Sequence, residues 1–379
     1  GLPAAAQGKV WTAAIPKRWR FSILRWNEAL LPRSSTMASD NIDEWPTGKL
    51  GKIKHTLVIE DVTLPKGEDL TSAVLNCVPT PNTYWSNALT DVLSLDRKTG
   101  TLRYAPMHIH RPDRVKNIPY RFENLLSGLQ RPGQWYVDAK NGTVWLWPPE
   151  EIDPNAVRIT GSFLPSAITV EGTPAAPVCY LTISGFSVQG AGLVAEASGK
   201  ETGSLGARGA AITLSGVEDC LIEKLTLRCN AGNGVAASGH VKRLAVSQCL
   251  IYEMGGAGIS MSGSLIDPEA SCAKNRILEN HIHHCGMLYW HSSGIGFGRS
   301  EEGVIGRNLV HDMPYAGITV GGGARHRWFT GWPREFPELE DLWARRGKGE
   351  PTIAKVKALI PGHNRIEENI VFEVMSKLD

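Results

Sequence analysis

Three of the chain's eleven histidines fall within four positions of the stretch ENHIHHCG, residues 279–286. Imidazoles at that density suit a metal site, acid–base catalysis or hydrogen bonding to a polar ligand. Two later stretches, RNLVHDMPYAGI (307–318) and ENIVFEVM (368–375), have the same outline when laid over the first. In that alignment Glu253, His284, Asp312 and Glu373 share one column, while Arg228, Tyr252, His283, His311 and Phe372 share the column one position earlier. Carboxyl groups crowded in a column repel one another, which raises one pKa and creates a proton donor. If neighbouring turns of a repeat stack, Asp312 and Glu373 approach the roughly 5–5.5 Å of a retaining glycosidase pair. Glu253 and Asp312, two turns apart, come nearer the separation of an inverting pair.

Metal chemistry has weaker support in the spacing. His281, His283 and His284 match no zinc signature, and the seven cysteines include no Cys-x-x-Cys pair, so no metal site is assigned. Calcium held by carboxylates remains a candidate cofactor; otherwise none is expected. Strand alternation predicts His281 and His283 on one side and His284 on the other. A nucleophile elbow is absent, which sets aside Ser or Cys catalysis.

A repeat must position these columns. Val235, Ile259, Ile295 and Ile318 each follow a glycine and open a short strand, at spacings of 24, 36 and 23 residues. A period of 23–24 with loop insertions, short β-rich strands and no helical spacing predicts a parallel β-helix over 166–379. A third column, Leu225, Cys249, Asn280, Asn308 and Asn369, reads as an inward amide ladder at a bend. Cys220 and Cys249 read as small buried apolar groups. The period breaks after Gly321, and residues 324–362 predict a partly helical insertion whose Arg325 and Trp328 would wall a ligand site.

Residues 1–165 carry no clear repeat. KVWTAAI, RFSILRWN and HTLVIEDV read as strands, so this half is expected to be a mostly β domain or cap. GQWYVDAKNGTVWLWPP (133–149) predicts a hairpin closed by a type I′ turn at Asn141-Gly142, and NIPYRFENLLSGL a short helix or lid. The whole is therefore expected to be all-β.

Composition sets the outer bounds. The chain has 379 residues, a net charge of +2, 42% apolar and 21% charged residues, and twelve tryptophans. Near-neutral charge argues against a nucleic-acid or membrane partner, and no run of about eighteen apolar residues exists to form a transmembrane helix. The tryptophans suit flat ligands such as sugar rings. The opening Gly1-Leu2 reads as a processed or trimmed start.

Together GQWYVDAKNGTVWLWPP, NHIHHCG, NLVHDMPYAGITVGG and NRIEENIVFEVM resemble right-handed parallel β-helix carbohydrate-active enzymes, especially glycoside hydrolase families 141 and 120. The resemblance covers nearly the whole chain from about residue 8. It implies a glycoside hydrolase cleaving a plant or algal poly- or oligosaccharide, secreted or periplasmic. Asp312 falls at the position of a candidate catalytic acid, His311 at its histidine and Glu373 one rung on. An Asp-Gly-Gly-aromatic segment usually follows, expected to carry the second carboxylate; here the sequence reads VMSKLD, and Asp379 stands at or beside that place. The expectation is a chain truncated at its C-terminus. Candidate catalytic residues are thus Asp312, Glu373, Asp379 and Glu253. Candidate substrate-binding residues are His283, His284, His311, Trp290, His291, Tyr315, Arg325 and Trp328. A polysaccharide lyase using His283, His311, Tyr315 or Arg325, and a non-catalytic glycan-binding solenoid, are the alternatives.

Overall fold

A computed structural model describes residues 1–37, 39, 41–59, 67, 68, 70, 72–78, 87–106, 116–191, 209–263, 271–321 and 363–375. The stretch 324–362, with Arg325 and Trp328, and Asp379 lie outside the described residues.

From Ser166 the chain winds through three parallel sheets. The first runs Ser166–Glu171, Ala210–Glu218, Asn233–Lys242, Ile259–Ser262, Ile295–Gly298 and Ile318–Gly321. The second runs Thr182–Ser184, Leu221–Glu223, Ala245–Ser247, Arg276–Leu278, Val304–Gly306 and Arg365–Glu367. The third runs Ser187–Gln189, Thr226–Asn230, Leu250–Met254, His281–His283, Leu309–His311 and Ile370–Val371. In-register stacking places like residues above like: Leu227, Ile251, Ile282 and Val310 are each fully buried in the third sheet. Columns of branched side chains from all three sheets fill the interior, so truncating one to Ala leaves a cavity that costs about 2–5 kcal/mol.

The repeated glycine has a steric cause. A Cβ on Gly234, Gly258, Gly294 or Gly317 would lie 2.7, 2.5, 2.5 or 2.4 Å from a side-chain carbon of Ile251, Ile282, Val310 or Val371, respectively. The first sheet can therefore begin beneath the third only where that residue has no side chain. Bends between sheets use left-handed backbone. Cys229, Glu253, His284, Asp312 and Glu373, at the C-terminal end of the third sheet's strands or just past it, have φ of 52, 54, 50, 51 and 48°. Such a φ is disfavoured for L-residues, by roughly 1 kcal/mol each; His284, Asp312 and Glu373 are exposed or half-buried at this corner, whereas Cys229 is buried.

The asparagine column forms the amide ladder expected of it. The Oδ1 atoms of Asn280, Asn308 and Asn369 accept the backbone N–H of Cys249, Asn280 and Asn308 at 2.9–3.0 Å. Their Nδ2 groups donate to the carbonyls of Val246, Ile277 and Ile305. Cys220 and Cys249 are buried, as their apolar surroundings imply.

The N-terminal half is β as expected, and contains a closed six-stranded barrel: Thr47–Leu50, Thr56–Ile59, Thr101–Tyr104, Ala88–Asp96, Val74–Cys77 and Ile118–Glu123. Two readings need correction. Ile118–Glu123 is a barrel strand followed by a 3-10 turn at Leu126–Gly128, because Ile118, Tyr120 and Phe122 alternate into the barrel core. The hairpin pairs Trp135–Asp138 with Thr143–Leu146 through a four-residue loop. Only Gly142 has positive φ there; Asn141 instead donates its backbone and side-chain N–H groups to the Asp138 carboxylate. The barrel meets the β-helix through Ile23, Leu89, Ala231 and Tyr289, with Asn87 accepting from the Trp290 N–H and donating to the Leu288 carbonyl.

Candidate functional site

The third corner and the strand end before it carry the cluster. Tyr252, His283, His311 and Phe372 stack in that order, with centroid spacings of 5.1, 5.1 and 4.8 Å and planes within 6° of parallel. Their faces cover one another, so the column offers edges: ring nitrogens and a phenol, with Arg228 donating to the Tyr252 hydroxyl at 3.3 Å. Such edges suit hydroxyl-rich ligands better than flat stacking does.

His284 departs from the expected alternation. It lies on the same side as His283, with Nδ1 atoms 2.8 Å apart, because its left-handed φ turns the chain and brings the side chain back. His284 Nδ1 is 3.7 Å from Asp312 Oδ2, and His311 Nδ1 is 2.6 Å from the same oxygen. A hydrogen bond joins Asp312 to Glu373 on the next rung. Among the described residues, His311, Asp312 and Glu373 bring three donor atoms within 4.8 Å of one another. That spacing would also admit a divalent cation, one donor short of a closed four-ligand zinc site.

Electrostatics separates the two acids. Asp312 is held below its ordinary value, first by the hydrogen bond from His311 and also by Glu373 and the charges of His284 and His311. Glu373 is raised, first by its hydrogen bond to Asp312 and then by that carboxylate's charge. Two carboxyls can hydrogen-bond only if one carries a proton, and both displacements put it on Glu373. Burial, with the charges of His281, His284 and His311, pushes His283 down to about 4. It is therefore a neutral imidazole at ordinary pH.

Other candidates are placed differently. Glu253 sits two rungs from Asp312 and accepts from the Cys229 thiol at 2.9 Å. Trp290 packs toward Trp45 of the N-terminal half, centroids 6.0 Å apart. His291 and Tyr315 pack against each other with centroids 4.3 Å apart and planes tilted by 52°. The structure thus gathers His283, His284, His311, Asp312 and Glu373. It adds His281, which the sequence reading did not place among the site residues: His281 Nε2 lies 2.8 Å from His311 Nε2. Two histidines one rung apart and offset by two residues were the available signal.

Comparison with known proteins agrees with this architecture. Residues 166–331 match the family model described as a right-handed β-helix region. No curated protein matches the chain. A solved structure named simply as a glycoside hydrolase overlays with a TM-score of 0.67 at 17% identity, covering 83% of this chain and 63% of its own. The chain therefore spans under two thirds of that protein's length. Two slighter overlays are the complex of XylC with xylose (TM-score 0.40, 12% identity, 83% and 46% covered) and the Gp54 tailspike of Acinetobacter baumannii bacteriophage AP22 with a capsular saccharide (0.19, 10%, 76% and 44%). From Ser166 onward the chain is a right-handed parallel β-helix, set behind a mostly β N-terminal region that holds a closed barrel.

Proposed function

We propose that the chain is a glycoside hydrolase acting on a plant or algal poly- or oligosaccharide, with Asp312 and Glu373 as its catalytic pair. The observation that carries this reading is the pairing of two corner carboxyls on adjacent rungs, with Asp312 shifted down and Glu373 shifted up from their ordinary values. Glu373 is then the general acid that protonates the leaving oxygen, and Asp312 the ionised partner facing the sugar. This reverses the assignment of the acid that the family resemblance suggests for Asp312. Ligand atoms of Asp312 and Glu373 lie within 4.8 Å of one another, nearer a retaining pair's gap than an inverting pair's, which favours a retaining reaction with Asp312 as nucleophile. The edges of His283 and Tyr252 would bind hydroxyls beside it. The overlay on a glycoside hydrolase supports the fold for such a reaction.

A lyase acting on uronates needs a cation to neutralise the substrate carboxylate. Among the described residues, the charged groups acting most on Asp312 and Glu373 are each other and two histidines, which supports a neutral sugar. A polymeric substrate implies an exported protein, and among the described residues no helix is long and apolar enough to cross a membrane.

The test is turnover of neutral aryl glycosides and plant or algal glycans. Hydrolysis by the wild type that falls at least about 10²-fold in Asp312→Asn supports the assignment. Undiminished activity in that variant overturns it. An unsaturated, ultraviolet-absorbing product would indicate a lyase, and sugar binding without turnover a non-catalytic solenoid.

A further inference from the structure

Both ring nitrogens of His311 have partners. Nδ1 lies 2.6 Å from Asp312 Oδ2, and Nε2 lies 2.8 Å from His281 Nε2. An ionised carboxylate oxygen can only accept, so the hydrogen on that bond belongs to His311 Nδ1. One proton then lies between the two Nε2 atoms. When the single hydrogen of the His311 ring sits on Nδ1, its Nε2 offers the lone pair and His281 donates.

The stack cannot make this choice alone. His283 and Phe372 clamp the His311 ring face to face, at 5.1 and 4.8 Å. A clamp on both faces fixes the plane of the ring but leaves it free to turn over within that plane, exchanging its two edges. Only the hydrogen bonds at the edges distinguish the orientations, and on the edge away from Asp312 that bond comes from His281.

We infer that His281 is a positioning residue: its Nε2–H holds the far edge of His311 and thereby delivers the His311 Nδ1–H to Asp312. The catalytic consequence rests on the hydrolase reading above; the orientation of His311 does not.

Three observations support the role. The position does not require an imidazole for packing, because its in-register neighbours above and below are Leu250 and Leu309. Burial is the first cause that lowers the pKa of His281, which keeps its ring neutral with one N–H to give. The titratable groups around it point the same way: His283 on its own strand, 4.8 Å between centroids, is also neutral, while His284, Asp312 and Glu373 lie at the corner beyond. Tyr252 and Arg228 continue the line on the preceding rungs.

The experiment compares the wild type with His281→Leu, which matches the column, and His281→Gln, which restores an N–H donor. Proton–nitrogen NMR of the imidazoles reads the tautomer of His311, and the pH profile of hydrolysis reads the consequence. The wild type should show the Nδ1–H form of His311. His281→Leu should lose that slowly exchanging signal, move the acid limb of kcat/KM to higher pH and lower kcat about 10-fold with KM nearly unchanged. His281→Gln should recover most of each. An unchanged His311 signal and acid limb in His281→Leu, whatever its Tm, overturns the inference. A wild type that hydrolyses nothing overturns the hydrolase reading, and the NMR arm then decides this one by itself.

Discussion

Along the second corner of the β-helix Glu279, Arg307 and Glu368 alternate in sign, and along the third His284, Asp312 and Glu373 do not. The backbone is the same: left-handed residues at φ 59, 54 and 56° in one and 50, 51 and 48° in the other. At the second corner Arg307 reaches Glu279 at 2.6 Å and Glu368 at 3.8 Å, and the amide ladder lies directly inside it. The first corner also pairs acid with base, Arg243 on Asp219 at 2.6 Å and Lys274 by Glu302 at 3.7 Å, although its two cations are neighbours. Among the described residues only the third stacks carboxyl on carboxyl, backed by the buried Met254, Cys285 and Met313. At the other two corners an acid on one rung meets a base on the next, whereas this one sets two acids together, and their pKa values move apart, Asp312 down and Glu373 up. That contrast marks a site more strongly than any one residue does.

Exchanging the two patterns breaks the comparison most severely. Glu373→Arg gives the third corner an alternating pair and removes the proton donor. Hydrolysis should fall about 10²–10⁴-fold while the melting temperature holds, as kinetics and calorimetry on one sample would show. A smaller but still large effect belongs to the ladder behind the second corner. Asn308→Ala leaves the buried Asn280 N–H without its acceptor and should cost about 3 kcal/mol, read by urea unfolding, with kcat unchanged for the folded fraction.

The pH dependence sharpens the contrast further. Glu373 has a raised pKa and acts as its protonated form, so activity falls as pH rises through that raised value. Asp312 has a lowered pKa and acts as its anion, so activity falls as pH drops through that lowered value. A bell-shaped kcat/KM profile, broadened on both limbs relative to unperturbed carboxyls, is the expected result. The smallest effect is at the exposed second corner, where Arg307→Gln should leave activity within about twofold and hardly move the melting temperature, since exposed ion pairs contribute little.

Much of this was legible in the sequence because a β-helix converts spacing into height. The Gly-Val and Gly-Ile marks gave the rungs, and the columns through Asn308 and Asp312 followed from aligning them. What failed was local backbone geometry. Period-two reasoning put His284 opposite His283, since nothing in the residue type announces a positive φ at a histidine. The role of His281 also needed coordinates, because its partner is 30 positions away and offset by two within the next rung. Ile118–Glu123 was hidden by a proline and a following leucine pair that resemble a helix start, and only closure of the barrel shows it as a strand.

Carbon NMR titration of the side-chain carboxyls of Asp312 and Glu373, in the wild type and in Asp312→Asn, addresses the separation of the two pKa values directly. Two separated transitions are expected, Asp312 below and Glu373 above their ordinary values, with Glu373 moving down once its neighbour is uncharged. Two ordinary, mutually independent titrations in the folded wild type would contradict it.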